Sequence, residues 1–161
     1  MEEKEYRAIA QDLFKEAYEH QLEGEFETAI ELYQRSILAF PTAEAHTFLA
    51  WTYSEQGKLD DAIAECKKAI QIDPDFGNAY NDIGAYLIEK SSHEEAVPWL
   101  KKAIKAKRYE NPHFAHSNLG RAYIALEMFN KARKEFDTAL KLQPDYEPAR
   151  EGRQFIKMLI Q

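Results

Sequence analysis

Leu49-Ala50-Trp51-Thr52-Tyr53, followed by Gly57 and then Asp61-Ala62, is the stretch that decides the fold, because it recurs. Ile83-Gly84-Ala85-Tyr86-Leu87 leads to Glu95-Ala96 in the same way, and Leu119-Gly120-Arg121-Ala122-Tyr123 leads to Lys131-Ala132. The alanines Ala29, Ala62, Ala96 and Ala132 stand 33, 34 and 36 residues apart. A second small residue follows each by seven positions: Ser36, Ala69, Ala103 and Ala139. Self-similarity at such a period is the mark of a repeat architecture.

Inside each period the apolar residues follow a helical spacing. His46, Leu49, Ala50 and Tyr53 form one stripe, and Ala62, Ile63, Cys66, Ala69 and Ile70 form a facing one. Small residues at the facing positions let two helix backbones come close. Gly24 and Gly57 fall at the turns between helices, where a left-handed residue is favoured. Pro41, Pro74 and Pro144 close three of the four units, since proline cannot continue a helix without losing a hydrogen bond. The period-two alternation of a strand is absent. The expectation is nine helices, near 4–22, 26–39, 43–56, 59–72, 76–89, 93–106, 112–126, 129–142 and 146–159.

These residues make the chain resemble the tetratricopeptide-repeat (TPR) family, whose period is about 34 residues. The resemblance implies an all-α fold: an α-solenoid of four helix pairs, wound as a right-handed superhelix, plus a C-terminal capping helix. It implies a single domain, with repeats near 10–42, 43–76, 77–112 and 113–146 and a cap over 147–161. Glu16 and His20 replace the Leu49 and Tyr53 of unit two, which suits a terminal unit with no preceding neighbour. In the longer link after unit three, Asn111 is placed to cap the next helix, with Pro112 at its first position. Ala149, Phe155, Ile156 and Leu159 make the apolar stripe expected of the cap, and Leu32 and Trp99 are read as outward-facing.

Composition limits the function. Apolar residues are 45% and charged residues 30% of the 161, and the net charge is −7. Nucleic-acid affinity rests on cations meeting phosphates, so this balance argues against DNA, RNA and anionic membrane. It mildly favours a basic partner. The single cysteine, Cys66, rules out an intrachain disulfide framework and fits a reducing compartment. It aligns with Tyr33, Leu100 and Phe136, which are core positions. His113 and His116 are a possible metal pair, but His116 aligns with His46 and Tyr80, a packing position, and no further ligands cluster nearby. No phosphate loop or nucleophile elbow occurs. The expectation is therefore no enzyme, no metal and no cofactor.

In TPR proteins the partner lies against the first helix of each pair, on the concave face. Carried across by position, the resemblance implies contact residues Phe14, Tyr18, Thr47, Trp51, Asn78, Asn81, Asp82, Ser117, Asn118 and Arg121. Aromatics at such positions suit binding hot spots, and asparagines suit a peptide backbone. Family members that clamp chaperone tails use Lys, Asn and Arg where this chain has Phe14, Tyr18, Phe48, Asn78 and Asp82, so that ligand is not expected. Asn81-Asp82-Ile83-Gly84, Glu95-Ala96-Val97-Pro98-Trp99-Leu100 and the stretched link into Asn118-Leu119-Gly120 also resemble bacterial type IV pilus assembly lipoproteins. The reading is thus a cytoplasmic bacterial adaptor that holds a partner peptide or helix. A periplasmic pilus or secretion assembly factor, if a signal has been removed, is the first alternative. A homodimer through the C-terminal helix is the second.

Overall fold

A computed structural model describes residues 1–160. Its elements are α1 (Glu3–Leu22), α2 (Phe26–Ala39), α3 (Ala43–Glu55), α4 (Leu59–Ile72), α5 (Gly77–Glu89), α6 (His93–Lys105), α7 (Pro112–Ala125), α8 (Phe129–Leu142) and α9 (Glu147–Leu159). Among the described residues there is no strand element, and the helix ends lie within one residue of the sequence expectation. The capping helix was expected to reach Gln161, which lies outside the described residues. The chain forms two compact units, Met1–Ala79 and Tyr80–Gln161.

Each unit is built from antiparallel hairpins closed by small residues. In the first, Ala17, Ala29, Leu32, Tyr33 and Leu49 form one core cluster, with Leu13, Phe14 and Phe48 packed against it. Leu32 is therefore inside, not on an outward face; it fills the space its own hairpin leaves. In the second, Gly84 lies against the Leu100 side chain, and the Phe136 ring sits between Gly120 and Gly152. A Cβ at any of these three glycines would overlap its neighbour. The buried stripe of α9 is accordingly Ala149 and Ile156, with Gly152 against the ring, while Phe155 and Leu159 are exposed. The helix turns its small face to Phe136, and this rotates its larger residues outward.

The turn within each hairpin needs one residue in the left-handed region. Gly24 (φ 79°) and Gly57 (φ 76°) supply it in the first unit; Ser91 (φ 62°) and Glu127 (φ 57°) do so in the second, at the strain an L side chain brings there. Two amides per turn close on the helix end, as in Gly57 N–H to Ser54 O and Lys58 N–H to Tyr53 O. Asn111 does hold the N-cap position of α7, yet its side chain caps nothing; its carbonyl accepts from Phe114 N–H.

Nineteen residues separate a pair of facing positions in every hairpin, and each hairpin fills them differently. Unit one places Leu13 and Leu32 there. Unit two has His46 Nδ1 against Glu65 Oε2 at 2.7 Å. Unit three stacks Tyr80 on Trp99, with centroids 6.2 Å apart. Unit four repeats the polar solution, His116 Nδ1 to Glu135 Oε2 at 2.7 Å. Burial pushes the Glu65 carboxyl up, but hydrogen bonds from His46 and Lys68 outweigh it and leave the pKa lowered. The bonded carboxylate thus adds stability above its unfolded pKa, and that stability is lost as pH falls through the folded value. His46→Leu alone leaves the buried Glu65 with Lys68 but without its interior partner and should cost about 1–3 kcal/mol. His46→Leu with Glu65→Leu, which copies unit one, should stay within about 1 kcal/mol of wild type at neutral pH and resist acid better. Urea melts at pH 7 and pH 4 measure both; a double variant as weak as the single would contradict the equivalence of the two fillings.

Candidate functional site

The contact positions form a separate patch in each unit. In the first, α1 and α3 present a row of rings. Phe14 stacks edge-on against Tyr33 (5.5 Å) and Phe48 (4.9 Å). Phe48 in turn meets Tyr18 at 5.7 Å and Trp51 at 5.8 Å. Such packing holds the rings in place. It also leaves Tyr18 and Trp51 at 37% and 39% exposure, high for large aromatics. Phe14 is half-buried. Thr47 is buried, with its hydroxyl donating to the Glu44 carbonyl, so it offers little surface of its own.

Beside this row is a cavity of about 560 Å³ lined by Phe14, Phe40 and Phe48 together with Arg7, Gln11 and Lys15. The Arg7 guanidinium lies 4.4 Å above the Phe40 ring and is bonded to Glu3 at 2.7 Å. Arg7 and Phe40 did not emerge from the position rule, because they lie outside the repeat positions that rule covers. Beneath the rings the Tyr33 hydroxyl donates to Gln21, whose amide donates to Glu55. Burial raises the Tyr33 pKa, so it remains a neutral donor.

The second patch is polar. Arg121 Nη1 donates to Asn118 Oδ1 at 3.1 Å, and Asn118 Nδ2 donates to Asn81 Oδ1 at 3.0 Å. Asn81 is buried, Asn118 half-buried and Arg121 exposed. Ser117 is buried, and its hydroxyl finds no hydrogen-bond partner. Asn78, exposed at the start of α5, belongs to the first unit. Asp82 is recessed: solvent reaches it in part, but protein surrounds it. Burial pushes its carboxyl up to about 7, and a hydrogen bond with Asn81 offsets only part of this. Tyr109, from the stretched link, has its own pKa raised by burial and then by the Asp82 charge, which places the phenol in the same neighbourhood. Tyr109 carried no repeat-position signal; only the two-residue lengthening of its link marked the segment.

His113 and His116 are held within the hairpin packing. His113 stacks on Phe114 at 4.2 Å and on Tyr146 at 4.9 Å, and its pKa is lowered by burial. His116 bonds Glu135. The grouping of potential metal-ligating atoms among the described residues is His20, Glu23 and Glu25 at the first turn. There Glu25 already bonds His20, and both carboxylates are exposed. Cys66 is fully buried.

Together the hairpins define a helical-repeat scaffold whose first helices carry one aromatic and one polar patch. The tetratricopeptide-repeat description matches residues 43–76, 77–109 and 113–146, and the chain belongs to that family. Members mediate protein–protein interaction and are generally not enzymes. A Protein SGT1 homolog of Oryza sativa is 36% identical over 95 residues, 58% of this chain and 26% of that protein. The type IV pilus assembly protein PilF of Pseudomonas aeruginosa is 27% identical over 101 residues, 63% of this chain and 40% of that protein. Its solved structure superposes with a TM-score of 0.86 at 21% identity, over 96% of this chain and 68% of that one. The first TPR of Spaghetti, solved with an HSP90 peptide, gives 0.69 at 23% identity, over 74% of this chain and 93% of that one. The chain spans less than half the length of these curated relatives.

Asp82 yields a signed pH dependence. A free aspartate loses its proton near 3.8, whereas the folded one keeps it to about 7. Between these values the folded state holds more protons, so this group makes stability fall as pH rises. Asp82→Asn should match wild type near pH 4 and melt at a higher temperature at pH 8. Equal melting temperatures at pH 8 would contradict the assigned burial.

Proposed function

We propose that this chain is an adaptor that binds a segment of another protein through the first helices of its hairpins, using two patches of different chemistry. The aromatic row of the first unit takes apolar side chains of the partner. In the second unit the half-buried Asn118 amide, held in place by Asn81, takes its polar backbone, and Asp82, whose pKa an approaching cation lowers, takes a basic side chain. The observation that carries this reading is the Tyr18–Phe48–Trp51 row: packed rings that leave two large aromatics open to solvent beside a cavity. Exposed aromatics of this kind give much binding energy from few contacts. The chaperone-tail ligand of the Spaghetti structure does not carry over. An acidic tail needs cations, and Phe14, Tyr18, Phe48 and Asp82 stand at those positions. A reducing, cytoplasmic setting fits the single buried thiol.

A second reading, assembly of type IV pili, is favoured by the similarity to PilF, which extends over 101 residues in sequence and 96% of this chain in structure. It places the same patches against a pilus component.

Selection of peptides from a random display library on the purified chain tests the adaptor reading. Enriched peptides should combine apolar residues with a Lys or Arg. Tyr18→Ala with Trp51→Ala should weaken them at least about tenfold, with little change in melting temperature. Peptides that bind the double variant as well as wild type would place the partner on another surface.

A further inference from the structure

Charge is unevenly distributed along the chain. Residues 1–39 carry ten carboxylates against four Lys or Arg, whereas residues 129–160 carry seven Lys or Arg against five carboxylates. The structure gathers part of the C-terminal excess in one place. Arg133 of α8 and Arg150, Arg153 and Lys157 of α9 line a cavity of about 670 Å³ with Gln154 and Ile160. Their neutralisation is incomplete. Arg150 approaches Glu147, and Arg153 approaches Asp137, only to 3.6 Å, while Arg133 and Lys157 have no ion-pair partner among the described residues. Around the same helix Phe155, Met158 and Ile160 are exposed, Met158 at 68%.

The first hairpin shows the complementary pattern. Leu49, Ile83 and Leu119 are buried in the later units, but the matching residue in unit one is Glu16, exposed. Tyr6, Ile9 and Glu16 fall on one stripe of α1 at three- and seven-residue steps, with Glu23 just past its end, and all four are exposed. Leu38 of α2 is 87% exposed. The α1 stripe mixes apolar and acidic groups where α9 mixes apolar and basic ones.

We propose that the basic face of α8 and α9 docks onto the acidic face of α1 in a second copy of this chain, head to tail. Opposite charges then meet, and the exposed apolar side chains of both faces leave water together. A symmetric α9–α9 dimer would instead set each cluster of cations against its twin, so the homodimer through the C-terminal helix is the poorer pairing. A head-to-tail contact uses two different surfaces, so it leaves one of each free on every complex and supports growth beyond the dimer. Because the charges are exposed, the contact weakens with salt.

Sedimentation velocity on the full chain, from micromolar to near-millimolar concentration, tests this. Wild type should gain mass with concentration, pass the dimer, and lose that mass in molar salt. A triple variant, Arg150→Glu, Arg153→Glu, Lys157→Glu, and a double variant, Glu16→Lys, Glu23→Lys, should each remain monomeric. Mixed together they should associate again, because each then carries the face the other lacks. Circular dichroism confirms that both fold; the substituted residues are exposed. A wild type that stays monomeric throughout would overturn the proposal. So would a Glu16→Lys, Glu23→Lys variant that associates like wild type, or folded variants whose mixture stays monomeric.

Discussion

Everything in this molecule depends on how closely the two helices of a hairpin approach. The residues that set this distance are small and sealed: Ala29, Ala62, Ala96 and Ala132 on the second helices have no exposure. On the first helices the matching place is held by Ala17, Ala50, Gly84 and Gly120. Phe136 shows why. Its ring is held between Gly120 and Gly152, so a methyl added at either would overlap it, and it cannot move from one without meeting the other. Interiors are packed too densely to absorb such an insertion cheaply. The same glycine sets the orientation of α9, and through it which residues of the last helix meet solvent.

Because the small residues carry the geometry, the remaining facing positions are free to vary in chemistry. Leucines, a His–Glu hydrogen bond and an aromatic stack occupy equivalent places in successive hairpins. The polar fillings work only because each partner satisfies the other; a buried carboxylate without its histidine would be costly. The same freedom lets the first-helix faces differ, aromatic in the first unit and amide-rich with a recessed acid in the second.

The sequence revealed the period, and with it the helix boundaries, because alanines, glycines and prolines mark geometry that few other residues tolerate. The left-handed turns at Ser91 and Glu127 were illegible, since neither residue announces that conformation as Gly24 and Gly57 do. Gly152 and the rotation of α9 were missed for a related reason: an apolar stripe drawn on a helix ignores which ring it must accommodate. The places of Thr47, Asp82 and Ser117 on the first helices could be read, but not their burial. Thr47 and Ser117 lie inside and Asp82 lies in a recess, because depth depends on neighbours far away in sequence. Tyr109, Arg7 and Phe40 join their patches only through the fold.

Hydrogen exchange on a Gly120→Leu variant tests the close-approach constraint most directly. If the Phe136 ring has no other place to go, amide protection through α7, α8 and α9 should collapse, while α1 and α2 keep theirs. Protection in α7, α8 and α9 equal to that of the unmodified chain would show that the hairpin can widen freely, and that the small residues do not set its geometry.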